Sequence, residues 1–177
     1  MTGNRTWPCP VCAEVITVGE GACPYCLASG AWIELIGALD FSTRRFELWK
    51  LQGAITVTQY RQILDATRGR RQAMVQAAQA GQPLPEDTGL PPCDRCWRCR
   101  TPFAPGALRC GVCGNTLHTP EVRLLRYQSF LCSEIQRHAD SGILSTAQWQ
   151  DFLTETPERQ IELLCRLEQG WKPGGKS

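Results

Sequence analysis

Two histidines in 177 residues leave little room for histidine-based catalysis. A Ser-His-Asp or Cys-His arrangement is poorly supported, and neither an HExxH helix nor a glycine-rich phosphate loop occurs. Pro8-Cys9-Pro10-Val11-Cys12 matches one half of a zinc deaminase signature, but the His-x-Glu that would shuttle protons occurs nowhere. Long apolar runs are also missing, since none approaches the roughly 18 residues needed to span a bilayer. The start, MTGNRTWPCP, lacks the basic and then apolar order of a secretory leader. Strong charge of one sign is absent as well: 19 Lys+Arg stand against 17 Asp+Glu. What the chain does have is cysteine, 11 in all. A cytoplasmic chain is therefore expected, in which reduced thiols bind metal rather than each other. The odd count agrees, because it forbids complete pairing within the chain.

The cysteines fall into a duplicated pattern. Cys9-x2-Cys12 is followed after ten residues by Cys23-x2-Cys26, and Cys96-x2-Cys99 after ten residues by Cys110-x2-Cys113. Gly19 matches Gly106 at the same offset of 87. Two such hairpins can surround one Zn²⁺ with four thiolates at tetrahedral angles. Cys93 complicates the second set, since Cys93/Cys96 has the same spacing as Cys96/Cys99. Copy one decides between them: it has ten residues between its pairs and Thr6 where Cys93 would fall. The candidate ligands are thus Cys9, Cys12, Cys23 and Cys26 for one zinc, and Cys96, Cys99, Cys110 and Cys113 for a second.

The repeat continues beyond the cysteines at an offset of 89, where Gly53-Ala-Ile-Thr-Val-Thr-Gln-Tyr60 lies on Gly142-Ile-Leu-Ser-Thr-Ala-Gln-Trp149. Thr56 with Gln59, and Ser145 with Gln148, are capping boxes. Ile55 with Tyr60, and Leu144 with Trp149, have the spacing of hydrophobic staples. Gly53 and Gly142 supply the left-handed residue that ends the preceding helix. Leu35, Leu39, Phe46 and Trp49 form one apolar stripe, and Leu124, Tyr127, Leu131 and Ile135 another. Thr119-Pro120-Glu121 and Thr156-Pro157-Glu158 read as starts of the first and third helices of copy two. Copy one's third helix, about Thr67 to Ala80, contains Gly69 and lacks the Ile161, Leu163, Leu164, Leu167 pattern, so it is expected to fray or to need a partner. Cys132 and Cys165 are expected as small buried hydrophobes, His118 as exposed, and His138 as a helix-face residue.

The expected fold class is therefore zinc-stabilised ribbons plus mainly α structure, in two tandem copies of a four-cysteine ribbon followed by a helical hairpin or three-helix unit. The boundaries are ribbon one at 1–30, helical unit one at 31–81, a flexible Pro/Gly-rich linker at 82–92, ribbon two at 93–119, helical unit two at 120–171 and a flexible tail at 172–177. The stretch CRTPFAPGALRCGVCGNTL resembles the short double-zinc-ribbon domains of bacterial proteins, closely over residues 96 to 117 and by spacing over 9 to 26. That resemblance implies a structural zinc in each ribbon. Glycine commonly follows each knuckle in that family, whereas here Ala13, Leu27 and Arg100 stand there and only Gly114 fits. The helical parts are similar, more weakly, to helical hairpins attached to bacterial membrane or multidomain proteins.

Closed four-thiolate sites offer no open coordination position, so catalysis is not expected. Zinc bound by four thiolates adds two negative charges per site, which takes the formal +2 to about −2. The expected role is an adaptor whose two structural ribbons present helical hairpins to a protein partner, with six tryptophans, Trp97 and Trp171 among them, available as contact anchors. Nucleic acid is the alternative partner, carried by Arg95, Arg98, Arg100 and Arg109 with Trp97 interleaved in ribbon two. Ribbon one offers nothing comparable, with Glu14 and Glu20 and no Lys or Arg between Trp7 and Gly30.

Overall fold

A computed structural model describes residues 6–17, 21–104, 107, 109–117 and 119–169, with the side chains of the last helix described to 156 and at 162. The element order is β1 (Thr6–Pro8), β2 (Val15–Thr17), α1 (Gly30–Leu51), α2 (Val57–Gln79), α3 (Pro120–Asp140) and α4 (Thr146–Gln169). β1 and β2 pair antiparallel with Trp7 opposite Ile16. No helix among the described residues is long and apolar enough to cross a membrane.

The helix ends follow their sequence signals. Thr56 accepts from Gln59 N at 3.1 Å while Gln59 Oε1 accepts from Thr56 N at 2.9 Å, and Ser145 with Gln148 repeats this at 3.2 and 3.0 Å. Thr119 caps α3 at Val122 N, with Pro120 in its first turn. α1 ends where Gly53 adopts φ +76° and Ala54 N returns to Trp49 O. α3 ends in the same way at Gly142, φ +73°, with Ile143 N on His138 O.

The separate third helices do not form. α2 and α4 each run unbroken through the expected starts, past Gly69 and Pro157. The reason lies in two matching threonines. Thr67 Oγ1 donates to Ile63 O at 2.7 Å, and Thr156 Oγ1 donates to Phe152 O at 2.8 Å. Both residues are buried. A hydroxyl turned back on the preceding turn cannot cap a following one, so Thr156-Pro157-Glu158 sits mid-helix instead of opening one. Met74, Val75 and Ala77 pack against the core, which holds the second half of α2 in place.

The two copies share one core. Phe46, Trp49, Ile55 and Ile63 of copy one form a single cluster with Leu131, Ile135, Leu144 and Phe152 of copy two. Phe46 and Ile135, Ile55 and Leu144, and Ile63 and Phe152 are matching positions, so the cluster has an internal pseudo-two-fold. Trp49 stacks on Phe152 at 3.9 Å and 9°. Full burial of one such side chain contributes roughly 1.5–3 kcal/mol. On the pseudo-axis the capping-box glutamines do a second job. Gln59 Nε2 donates to Ile143 O and Gln148 Oε1, and Gln148 Nε2 donates to Ala54 O and Gln59 Oε1.

Ion pairs bind the copies with reversed polarity. Arg45 on α1 pairs with Glu155 on α4, while Glu134, its counterpart on α3, pairs with Arg70 on α2 at 2.7 Å. The segment 82–92 is not a loose joint. Gln82 O accepts from Trp32 Nε1 at 2.7 Å, Pro91 O accepts from Arg126 Nε at 2.8 Å, and Leu84 and Leu90 pack on the core. Its carbonyls and leucines find partners on α1 and α3, which its Pro/Gly composition did not suggest.

Candidate metal centres

One backbone device recurs four times. The N–H of the first cysteine in each Cys-x2-Cys bonds the carbonyl five residues on, and the N–H four residues on returns to that cysteine's carbonyl. The first bonds are Cys9 to Glu14, Cys23 to Ala28, Cys96 to Thr101 and Cys110 to Asn115; the return bonds come from Ala13, Leu27, Arg100 and Gly114. Closing so tight a turn requires a left-handed residue, and φ is +66° at Ala13, +60° at Leu27, +61° at Arg100 and +68° at Gly114. The missing glycines therefore leave the turn unchanged but strain it, by about 1 kcal/mol per non-glycine residue. Among the described residues only the first knuckle extends into a two-stranded sheet; the others close on single bridges, Ala22 with Ser29, Arg95 with Pro102 and Arg109 with Thr116.

These turns bring Cys9, Cys12, Cys23 and Cys26 together, and likewise Cys96, Cys99, Cys110 and Cys113, with the four sulfurs of each group within 4.8 Å of one another. Across the first group Cys9 and Cys26 lie 3.9 Å apart and Cys12 and Cys23 3.7 Å. In the second, Cys96 and Cys113 lie 3.6 Å apart and Cys99 and Cys110 3.5 Å. A tetrahedral ion with metal–sulfur bonds of about 2.3 Å sets sulfurs about 3.8 Å apart. Both groups therefore fit one metal ion each, and four thiolates suit zinc or iron. In each group the first cysteine of each pair is buried and the second partly exposed.

The thiols polarise one another. Burial pushes Cys26 and Cys113 up to about 12. The Thr101 hydroxyl, 3.3 Å from Cys99 Sγ, and the Thr101 N–H favour the thiolate and draw Cys99 down to about 6. Burial opposes ionisation of Cys23, but the N–H groups of Cys26 and Tyr25 outweigh it and bring that thiol to about 7. A bound dication would stabilise all four thiolates of a group at once.

Cys93 is not in the second group. It lines a cleft of about 650 Å³ between the first knuckle pair, α1, the 82–92 segment and the start of α3. Inside that cleft Glu34 of α1 holds Arg123 and Arg126 of α3, each at 3.0 Å, and Arg123 lies over the Trp7 ring at 3.7 Å. Arg95, Arg98, Arg100 and Arg109 are exposed, and Trp97 is half-buried. Cys132 is half-buried on α3, and burial pushes its thiol up. His138 is buried and meets Phe46 edge-on at 5.2 Å. His118 and Trp171 lie outside the described residues, as does the Cys165 side chain.

Sequence reasoning missed what anchors the first centre. Arg71 on α2 donates to Pro10 O at 2.8 Å inside the first knuckle while its fork holds Asp40 of α1. Tyr127 and Phe130 of copy two join Cys9, Cys23 and Ile16 in one cluster. Neither long-range contact has a local signal. Gly37, in the middle of α1, was the available hint, because a Cβ there would lie 2.5 Å from Tyr127 Oη. Comparison with protein-family models, curated proteins and solved structures returns no match.

Proposed function

We propose that the chain is a non-catalytic, cytoplasmic adaptor that binds two zinc ions in structural ribbons and presents the second ribbon to a protein partner. One observation carries the reading: the first tetrad is built into the main core, whereas the second has a small core of its own, Cys96, Cys110 and Leu117, with Cys99, Phe103, Ala107 and Cys113 around it. An exposed module on a rigid support is suited to contact. Cys9, Cys12, Cys23 and Cys26 would hold one zinc, and Cys96, Cys99, Cys110 and Cys113 the other. Bound zinc supplies a cross-link and folding free energy, and four sulfurs leave it no site for substrate.

A nucleic-acid-binding role is the second reading, favoured by the exposed Arg95, Arg98, Arg100 and Arg109 around the half-buried Trp97. Elemental analysis of the purified chain tests the metal half of the proposal. Two equivalents of zinc are expected; one or none would refute paired sites. Salt titration tests the partner. RNA or DNA affinity that falls steeply with salt, and falls again in the Arg95→Ala, Arg98→Ala, Arg100→Ala triple variant, would replace the adaptor with a nucleic-acid module.

A further inference from the structure

We infer that the exposed arginines of the second knuckle pair dock an acidic segment of a protein partner. The inference rests on the adaptor reading and names the chemistry of what the adaptor holds. Arg95, Arg98, Arg100 and Arg109 are all exposed. Arg95 and Arg109 occupy the same place in their two knuckles, one residue before the first cysteine and opposite Pro102 and Thr116. Arg95 Nη1 donates to Arg100 O at 3.4 Å, which lays the Arg95 guanidinium along the turn that Arg100 forms. Copy one has Pro8, Val11, Ala13 and Ala22 at the four matching places and builds the same backbone. Folding therefore does not demand the charges.

Arg100 is the most telling of the four. At φ +61° glycine would cost less, and Gly114 fills the equivalent place in the adjoining knuckle. A cation there would offset some of the charge of a metal-loaded tetrad, but the first tetrad forms the same turn and the same sulfur cluster with Ala13 in that place, so assembling the site does not require it. Guanidinium forks pair in bidentate fashion with carboxylates as well as phosphates. A nucleic-acid strand, however, asks for an extended basic field, and this cluster is short. It lies beside Asp94 and a tetrad that carries two negative charges once zinc is bound. The other knuckle pair has Glu14 and no cation from Trp7 to Gly30. Close pairing with a short run of carboxylates tolerates that setting, whereas long-range attraction of a polyanion is weakened by it. Val112, 70% exposed at the place that matches Arg98, adds an apolar edge for the same segment.

The test uses the zinc-loaded full chain, with fluorescence anisotropy of a labelled oligoglutamate peptide and of a labelled oligouridylate of equal charge. Arg100→Gly is the informative variant, because it removes the guanidinium while relaxing the turn, and zinc content measured alongside separates lost binding from a lost site. Oligoglutamate is expected to bind more tightly than oligouridylate and to weaken about fivefold in Arg100→Gly and in Arg98→Ala. Leu27→Gly, the same relaxation in the first knuckle pair, is expected to leave binding unchanged. Equal oligoglutamate binding by wild type and both arginine variants overturns this inference alone and leaves the adaptor reading standing. Tighter, salt-steep oligouridylate binding that the arginine variants lose overturns both.

Discussion

The two cysteine tetrads have the same spacing and the same turns but differ in what lies beneath them. Cys9 and Cys23 are continuous with Ile33, Ile36, Leu39 and, from the other copy, Tyr127 and Phe130. Among the described residues Cys96 and Cys110 share their buried cluster with Leu117 alone. A metal centre set into a core and one set beside it have different thermodynamic consequences. Binding to the first would be coupled to folding of the helices, and binding to the second chiefly to folding of its own knuckles. Two tetrads of the same spacing thus differ in their seat, one set into the main core as a foundation and the other standing beside it as an outpost.

Ligand replacement should break the symmetry most strongly. Cys23→Ser is expected to cost the cooperative helical fold, several kcal/mol in a domain whose whole stability is about 5–15 kcal/mol. Cys110→Ser should release one zinc yet keep the helical signal. Far-UV circular dichroism with zinc quantification reads both, and equal helix loss in the two variants would remove the distinction. Cys93→Ser should retain both zincs, because Cys93 lies in the cleft and outside the tetrad.

The seat of the first centre can be tested without touching sulfur. Gly37→Ala raises helix propensity by about 1 kcal/mol, yet its Cβ would meet Tyr127 Oη at 2.5 Å. Tyr127 is buried against Phe41 and cannot simply swing away. A net loss of about 1–3 kcal/mol is expected from overpacking. Tyr127 Oη has no hydrogen-bond partner among the described residues, so Tyr127→Phe should restore Gly37→Ala at little cost of its own. Denaturant midpoints of the single and double variants decide it; failure of the rescue would mean that Gly37 matters for some reason other than this contact.

Much of this was legible because it is local. Cysteine spacing, capping boxes, Gly53 and Gly142 act within a few residues, and each appears where its chemistry requires. What escaped is long-range. Gln59 reads as a cap, and its second bond to Ile143 O in the other copy cannot be seen from neighbours 84 positions apart. Thr156-Pro157-Glu158 has the letters of a helix start, but burial gave its threonine a different acceptor. The Pro-rich composition of 82–92 indicates the lack of a helix, not the lack of contacts.

The copies also differ in their response to acid. Trp49 and His138 are matching positions in the shared core, and only one of them titrates. Burial pushes His138 below its ordinary value of 6.5; Glu134 opposes the shift, while Arg70 and Arg137 add to it. Above about pH 7.5 the imidazole is essentially neutral in both states and contributes no pH dependence. Below that value the unfolded chain takes up a proton that the folded chain resists, so stability falls, by at most about 1.4 kcal/mol per pH unit. His138→Phe should flatten the dependence of the urea midpoint between about pH 7.5 and 5.5 relative to wild type. Both proteins carry the same thiolate centres, so acid loss of metal cancels in the comparison. Parallel profiles would deny the histidine this part.

The smallest effect sharpens the distinction furthest, because it changes both tetrads in the same way. Leu27 and Arg100 hold left-handed turns at φ +60° and +61°, and glycine at either should relieve about 0.5–1 kcal/mol of strain after its own entropic cost. Neither side chain is buried, with Leu27 78% exposed, so little packing is lost. In the first centre that relief belongs to a turn whose unfolding takes the bundle with it, and Leu27→Gly should raise the global melting temperature by a few degrees. In the second centre the same relief is confined to the knuckles. Arg100→Gly should leave the global transition where it was and tighten zinc retention against a chelator at that site alone. If both variants move the global transition equally, the second tetrad is as much a part of the foundation as the first.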